Sequence, residues 1–506
     1  MSEITASFEP LGMVLQLFHA WNDSGIEYCH WKSNEHLLAG LCGDTDLDIL
    51  MTDSSREEGT RILSELNFIH LTSQYGSSYP YVEDWVGCDL ESGKLSHVHL
   101  HYRIVSGHRG MKEYTLPFTD EIISTRIKDD QWDIFIAEPN LELLMLYTRI
   151  GIKAGYRDLL QAHMGKYHVS KHDMPEIIFL KNQLNTDSLN HIAAKYYGDS
   201  TKSILEIIGR DTYDSKWMLD LHRVTTRFCK PYNRTGNAQS FLRIYFRISI
   251  VARRYICKFF LPYMITKKTL PNGGGVVVAF VGQDGAGKST VAKEVAKWLN
   301  WKIDVKRFYY GNGDGYRSIN RVIAGRLKGK GGLANGLRAL LAVSNYRKIA
   351  KKHLRQARMM KKYVAHGGIA ICDRYPQIKF EGINDGPKIR NLKKRTENKL
   401  AQRYLVWQAD KEEADIKRTI EICPDIVFKL TLPVEESMRR KPEENETAIR
   451  EKNKIINELD FGERRCVYVR ADQDYNLELS IIHTNIWDEM FYKATADDNR
   501  LGGGQT

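Results

Sequence analysis

No two cysteines of this chain stand in a C-x-x-C spacing. The eight of them, Cys29, Cys42, Cys88, Cys229, Cys257, Cys372, Cys423 and Cys466, are scattered over 506 residues. That scatter excludes a disulfide framework and a cysteine-built structural zinc site, and it fits a reducing cytoplasm, the expected compartment. Also missing is any apolar run near the roughly 18 residues that a membrane span needs. The N-terminal MSEITASFEP lacks the basic-then-apolar layout of a signal peptide, so a soluble protein is expected. There is no internal repeat. Acids are absent from Arg317 to Lys362, which holds 14 Lys or Arg, and without that stretch the net charge of +11 would be near zero. An anionic substrate, a membrane surface or a plain solvated helical face accounts for such a run. No series of aromatic residues interleaves with these cations to stack bases, so nucleic acid is not expected as a partner.

Apolar residues make up 42% of the chain and aromatics 10%, the balance of a globular protein, and the length allows two or three domains. The stretch TKKTLPNGGG, Thr266 to Gly275, reads as a linker, because Pro ends regular structure and consecutive Gly leave the backbone loose. Beyond it, strand-forming runs at Val276–Val281, Ile303–Tyr310, Gly368–Cys372, Ile426–Leu432 and Cys466–Arg470 alternate with longer helical stretches. That alternation predicts an α/β unit with a parallel sheet covered on both faces. Ahead of the linker, strands are expected around Leu47–Met51, Tyr81–Leu90 and His97–Val105, with Glu91–Lys94 as a hairpin turn. From the helix-start signal Pro139-Asn140-Leu141-Glu142 to Tyr263 the pattern is mostly helical. The expected boundaries are an α+β domain over 1–115, a helical domain over 116–265, the linker 266–275, an α/β domain over 276–494 and a disordered tail over 495–506.

The run GQDGAGKST, Gly282 to Thr290, follows the first strand of the C-terminal series and opens a helix. In this G-x-x-x-x-G-K-[ST] pattern Gly282, Gly285 and Gly287 let successive N–H groups turn inward around phosphates. Lys288 neutralises the β- and γ-phosphates, Ser289 offers its hydroxyl to Mg²⁺, and the helix beginning there directs its N-terminus at the anion. A second stretch, GGIAICDRYPQ, ends an apolar strand in Asp373-Arg374-Tyr375. An acid at such a tip can hold the Mg²⁺ shell, and Arg374 can grip a second phosphate. A hydrolase positions water, whereas a kinase excludes it and clamps two substrates. The guanine-reading N-K-x-D is absent from the expected region. ATP with Mg²⁺ is the expected cofactor.

Taken together, G-x-D-G-x-G-K-S-T, D-R-Y and P-D-x-x-x-x-L-x-x-P (Pro424, Asp425, Leu430, Pro433) resemble the thymidylate kinase family over about residues 276–494. The resemblance implies that Asp284 faces the sugar hydroxyl of an acceptor nucleotide and that Arg374 holds the acceptor phosphate. It also implies a lid whose arginines stabilise the transferring phosphoryl group. MRRKPEENETAIREKNK fits that place, with Arg439, Arg440, Lys441, Arg450 and Lys452 as candidates and Arg440 and Arg450 foremost. Gly285 stands where some relatives carry a loop arginine, so the lid would supply that charge. Two departures stand out. KRFYYGNGDG replaces R-E-P-G-G-T after the second strand, and PQIKFEGINDGPK replaces the S-x-x-A-Y-Q that lines the thymine pocket. The phosphate-handling parts match and the base-reading parts do not, so the acceptor need not be dTMP.

In the N-terminal half, Asp46 and Asp48 alternate in HWKSNEHLLAGLCGDTDLDILM, so both carboxylates project from one face of a strand. Two such groups can hold divalent metals and support nucleotidyl transfer. With Lys32-Ser33 ending 13 residues upstream, the stretch resembles the minimal nucleotidyltransferase fold over about residues 25–110. That fold carries a third acid on a neighbouring strand. Here LSHVHLHYRI sets His97, His99 and His101 on one face, so His99 is expected to ligate in its place, with Asp89 as another candidate. The contrasting outcome is a decayed site with structural histidines. Further on, Arg243, Arg247, Arg254 and Lys258 fall close to one helical face among aromatic and aliphatic residues, the pattern of an interdomain packing helix or of one lying on an anionic membrane.

These readings converge on an ATP-dependent phosphotransferase of the thymidylate kinase-like class with an attached nucleotidyltransferase-like domain. The acceptor is a nucleotide or sugar-like small molecule, and a peripheral membrane contact and a homodimer are both compatible with the chain. The competing class is a nucleotide-gated regulatory or defence protein, in which ATP binding controls an N-terminal effector.

Overall fold

The five strand-forming runs of the C-terminal half assemble into one parallel sheet, and the alternating segments of the N-terminal half into a separate mixed one. The computed structural model describes residues 9–73, 78–108, 110–236, 239–259, 264–271, 273–283, 285–311, 326, 332–381, 385–393, 399–442, 445–462 and 464–496. It divides into two compact units, Met1–Phe260 and Leu261–Thr506, so the division falls ahead of the expected linker.

In the first unit the strands are β1 Tyr28–His30, β2 Asp46–Met51, β3 Ile69–Leu71, β4 Val82–Cys88, β5 Leu95–His101, the short pair β6 Val105–Ser106 and β7 Tyr114–Thr115, then β8 Ile127–Lys128 and β9 Phe135–Ile136. Seven of them form a sheet in the order β3-β4-β5-β2-β1-β9-β8. β4 and β5 are a hairpin, closed where Asp89 N donates to Lys94 O at 2.8 Å and Gly93 N to Asp89 O at 2.7 Å. Gly93 takes φ +68° there, a conformation that costs glycine little. β5 then pairs in parallel with β2, which sets His97 beside Asp46 and His99 beside Asp48. One face of this sheet packs on the helix Gly12–Asp23 through Val14, Leu17, Phe18 and Trp21.

The helical region is built around Pro139–Lys153. Its N-cap is Glu138, whose carboxylate accepts from Leu141 N, and Pro139 sits at the position where a missing N–H costs nothing. Twelve of its fifteen residues are buried, so it is a central helix rather than an amphipathic cover. Two polar residues on it are paired: Thr148 Oγ1 with Tyr197 Oη at 2.7 Å, and Glu142 with Asn34, whose N and Nδ2 donate to its two oxygens at 3.1 and 2.6 Å. Farther along, the helix Gln239–Phe259 leaves Phe241, Tyr245, Ile248, Val251 and Tyr255 exposed. Among the described residues no helix is long and apolar enough to cross a membrane.

In the second unit the strands are β10 Val277–Gly282, β11 Val305–Tyr309, β12 Ile369–Asp373, β13 Ile426–Thr431 and β14 Arg465–Arg470, in the order β11-β12-β10-β13-β14. All four pairings are parallel. The Thr266–Gly275 stretch, expected to be loose, is tied to this unit. Thr266 N and Lys267 N both donate to Asp304 Oδ2, Leu270 N donates to Gly367 O, and Thr269 and Leu270 are fully buried. Its glycines serve close approach rather than looseness: a Cβ on Gly275 would stand 2.2 Å from Val364 O.

Burial raises the Glu142 carboxyl from its ordinary 4.5 to about 8, although Asn34 donates to it. The folded state therefore holds a proton that the unfolded chain releases near its ordinary value. Stability is full at low pH and falls as pH rises through about 8. Glu142→Gln is expected to flatten the decline of melting temperature between pH 5 and pH 8. Thermal melts of wild type and variant across that range check it, and equal slopes would contradict it.

Candidate functional site

The phosphate loop leaves the sheet at the end of β10. Gly282 has φ +157°, and a Cβ on it would meet Leu430 O of β13 at 2.4 Å. Gly285 at +89° and Gly287 at +76° are left-handed, and Gly287 is the N-cap of the helix Lys288–Leu299. Ser289 and Thr290 lie exposed in its first turn. The Lys288 ammonium is buried and folds back on the loop, donating to Gly282 O at 2.9 Å and also to Gln283 O. Asp284 lies outside the described residues.

Parallel pairing brings the D-R-Y motif to the same edge. Asp373 ends β12 opposite Phe280 of β10 and Tyr309 of β11. It is 7% exposed, and its Oδ1 is buried without a hydrogen-bond partner. Arg374 follows in the left-handed region at φ +71°, strained for a residue with a Cβ, and is held there by its N–H donating to Phe280 O at 3.0 Å. Its guanidinium comes within 3.7 Å of Asp385. Tyr375 turns inward and donates to the carbonyls of Thr419 and Ile422. A buried acid, a cation and a phosphate loop thus share one end of the sheet.

The expected lid arginines part company. The helix Val434–Arg440 is fastened to the loop where Ser437 Oγ donates to Gln283 Oε1 at 2.9 Å. Arg440 Nη1 donates to Gly285 O at 3.3 Å, Nη2 to Ala471 O at 3.0 Å, and Nε to Glu436 at 2.6 Å. Arg439 also pairs with Glu436. Arg450 is not brought to the loop. It lies on the helix Glu446–Glu458, 58% exposed, paired with Glu446 one turn away. The i, i+4 spacing gave it a nearer partner than any phosphate.

Beside the loop lies a cavity of about 200 Å³ lined by Gly287, Thr290, Arg440, Gln473, Tyr475 and Glu478. Glu478 Oε1 and Gln473 Nε2 are buried there without hydrogen-bond partners. Burial pushes the Glu478 carboxyl up to about 7, against the pull of Arg440. An unpaired acceptor and an unpaired donor next to a phosphate loop suit the polar edge of a base. Sequence reading missed both, because nothing marks a helix glutamate or a loop glutamine as facing a cavity.

The N-terminal residues form a second polar centre. Lys32 Nζ lies 2.7 Å from Asp48 Oδ2, and His99 Nδ1 lies 3.1 Å from Asp48 Oδ1. Burial alone would raise the Asp48 carboxyl, but Lys32 and the bonds from His101 and His99 hold it well below the usual range. Asp46 pairs with His97 Nδ1 at 3.0 Å. The other His97 nitrogen lies 3.0 Å from Asp84 Oδ1 on β4. Asp84 is buried and adds a third acid to Asp46 and Asp48. Counting back from the Asp89–Lys94 turn, which pairs Cys88 with Leu95, sets Asp84 opposite His99, and that count would have found it. Asp89 is elsewhere, capping the turn by accepting from Ser92 N and Oγ.

No protein-family model matches this chain. It is similar to the uncharacterized ATP-binding protein YghR of Escherichia coli K12, 22% identical over 219 residues, or 41% of this chain and 84% of that protein. The YghR of Escherichia coli O6:H1 strain CFT073 matches to the same extent. Among solved structures, a deoxyadenosine kinase from M. mycoides with bound dATP is similar at 16% identity, covering 42% of this chain and 98% of that one with a TM-score of 0.26.

Every donor nitrogen of Arg440 is engaged by the protein, so its charge is not a substitute for its fork. Arg440→Lys is expected to lose activity as far as Arg440→Ala does, at least about tenfold, because lysine cannot make the three contacts at once. Arg450→Ala should stay within about twofold, the effect of an exposed pair. Steady-state ATP turnover of the three variants checks this, and rescue by lysine would overturn it.

Proposed function

We propose that the C-terminal unit is an ATP- and Mg²⁺-dependent phosphotransferase, thymidylate kinase-like in its handling of phosphate, acting on a nucleotide or another small acceptor. The observation that carries this reading is the unpaired Asp373 Oδ1, buried at the strand tip beside the phosphate loop. A buried carboxylate oxygen without a donor costs free energy that a cation relieves. The Ser289 hydroxyl and Asp373 would hold Mg²⁺, which when bound neutralises charge on the phosphoryl group in transfer. Lys288, now on two carbonyls, would turn its charge to the β- and γ-phosphates. Arg374, fixed by its main-chain bond, would clamp the acceptor's phosphate, and the cavity at Gln473 and Glu478 would take the base of the donor. The ATP-binding character of the Escherichia coli relative supports a nucleotide at the loop.

The acceptor reading rests on the absence of the thymine-lining motif after Asp373-Arg374-Tyr375. dTMP is therefore expected to turn over far below an ordinary enzymatic rate of about 1–10 per second. The N-terminal unit we read as nucleotidyltransferase-like, on the alternation of Asp46 and Asp48 over one strand face.

An ATP-consumption screen of the full chain against nucleoside monophosphates, sugars and polyols, with products read by mass, tests the proposal. Lys288→Ala should lower turnover by at least about 10²-fold, since one contact to developing phosphate charge is worth several kcal/mol. Its melting temperature should change little. Stoichiometric ATP binding with no phosphorylated product would overturn the reading in favour of a nucleotide-gated regulatory protein.

A further inference from the structure

We infer that Asp48, His99 and His101 are three protein ligands of one divalent metal ion of the zinc class, a site in the N-terminal unit separate from the phosphate loop. The three donor atoms are Asp48 Oδ1, His99 Nδ1 and His101 Nε2. They stand 3.1, 3.3 and 3.6 Å from one another. Zinc bonds of about 2.0–2.2 Å in a tetrahedron set ligand atoms roughly 3.3–3.5 Å apart, so the triangle already has the size of a tetrahedral face. An ion about 2.05 Å from all three lies roughly 0.7 Å out of their plane, the displacement a regular tetrahedron requires.

The fold fixes this triangle. Asp48 and His99 are register partners in the parallel β2–β5 pair, and His101 is two residues on, on the same face. The surroundings supply an outer partner for His99. With Nδ1 toward the ion, His99 turns Nε2 toward Asp84 Oδ1 at 3.8 Å. Asp84 is itself held by Ser73 at 2.9 Å and by His97 at 3.0 Å. A carboxylate behind a ligating imidazole is the usual outer partner of a metal site. Lys32 takes the other Asp48 oxygen and leaves Oδ1 for the ion, and the Trp31 ring packs edge-on to His101, 5.3 Å between centroids. His99 is 21% exposed and Asp48 11%, so an ion can reach them.

Hydrogen bonds alone serve this cluster poorly. If His99 and His101 both donate to Asp48 Oδ1, His99 presents a bare nitrogen to the Asp84 carboxylate. Two imidazoles with one carboxylate favour zinc, cobalt or manganese over magnesium, which takes oxygen ligands and keeps its waters. Three protein donors leave one tetrahedral corner open. The cations nearby, Lys32 and Arg149, both lie over the Trp31 ring at 5.2 and 5.5 Å, so an anionic oxygen is the fitting fourth ligand.

The test uses the full chain stripped with chelator. Zn²⁺ and Co²⁺ are titrated by calorimetry, with Mg²⁺ as comparison, and the Co²⁺ complex is read by its visible absorption. One Co²⁺ per chain with the intense bands of a four-coordinate ion is expected, with Mg²⁺ at least tenfold weaker. His99→Ala and His101→Ala should each weaken Zn²⁺ binding at least tenfold, and Asp84→Asn about tenfold as an outer partner. His101 is buried, so if that variant misfolds by circular dichroism, the more exposed His99 carries the test. The Lys288→Ala chain should bind Zn²⁺ like wild type, which keeps this result independent of the phosphotransferase reading. Absence of Zn²⁺ and Co²⁺ binding, binding indifferent to His99→Ala, or a preference for Mg²⁺ would each overturn the inference.

Discussion

β10 lies between β12 and β13, bonded in parallel to both, and the geometry of the phosphate site follows from that position. Strands running one way deliver their C-terminal ends to one edge. The chain leaving β10 must turn there, where β12 presents Asp373. Gly282 makes the constraint visible. It is paired with Leu430, and a Cβ would press on the Leu430 carbonyl. A side chain at the first position of the loop would therefore push β13 away as well as obstruct a phosphate. The glycine belongs to the sheet as much as to the loop. Arg374 shows the same economy, because its strained backbone is held by a bond to Phe280 of β10 itself.

The N-terminal centre obeys the same logic with different chemistry. A row of register partners, Asp84 on β4, His99 on β5 and Asp48 on β2, crosses three neighbouring strands. Alternation then adds Asp46, His97 and His101 to the same face. Bringing so many titratable groups together requires that each charge meet an opposite one. Lys32 answers Asp48, His97 bridges Asp46 and Asp84, and Arg149 lies 3.7 Å from Glu176. At two members burial and like charge outweigh the neighbouring carboxylates. Burial and the neighbouring His99 drive the His101 pKa down to about 3, and Lys112 is lowered to about 8 by burial and by Lys32 and Arg149. His101 and Lys112 are thus pushed toward their neutral forms while Asp48 is held ionised, so the centre is built around charge rather than around apolar contact.

Much of the fold was legible in the sequence because its signals are local. Each C-terminal strand lies within two residues of its expected bounds, since apolar runs between helical stretches have few other readings. The phosphate loop and Asp373 were found for the same reason. What failed was long-range or dual-purpose. The NGGG stretch carries a loop signal, yet Gly275 is there because backbone carbonyls pass within reach of a Cβ. Arg450 and Arg440 look alike in a charged run, and only the fold separates the one facing Gly285 from the one paired with Glu446. Asp84 sits in an ordinary strand whose register comes from the turn, not from its own neighbours. Glu478 and Gln473 lie more than 180 residues from the loop they adjoin, and no periodicity encodes that.

Arg440 and Lys288 together set how the loop meets a nucleotide. Arg440 spends its donors on Gly285, Ala471 and Glu436, and Ser437 fastens Gln283, so the loop is braced from outside before any phosphate arrives. Ordering cost is thereby moved from binding to folding, which favours affinity. Lys288 is different, because it donates to carbonyls of the loop itself. In the proposed reading an arriving phosphate would offer this ammonium charged acceptors, and charge-assisted bonds are roughly twice as strong. The lysine need not move far, since the carbonyls of Gly282 and Gln283 belong to the loop that wraps the phosphates. The bracing supplies position, and the buried lysine supplies a charge held against the loop. A site divided this way would let the proposed phosphate binding proceed from a loop already fixed to the sheet that carries it.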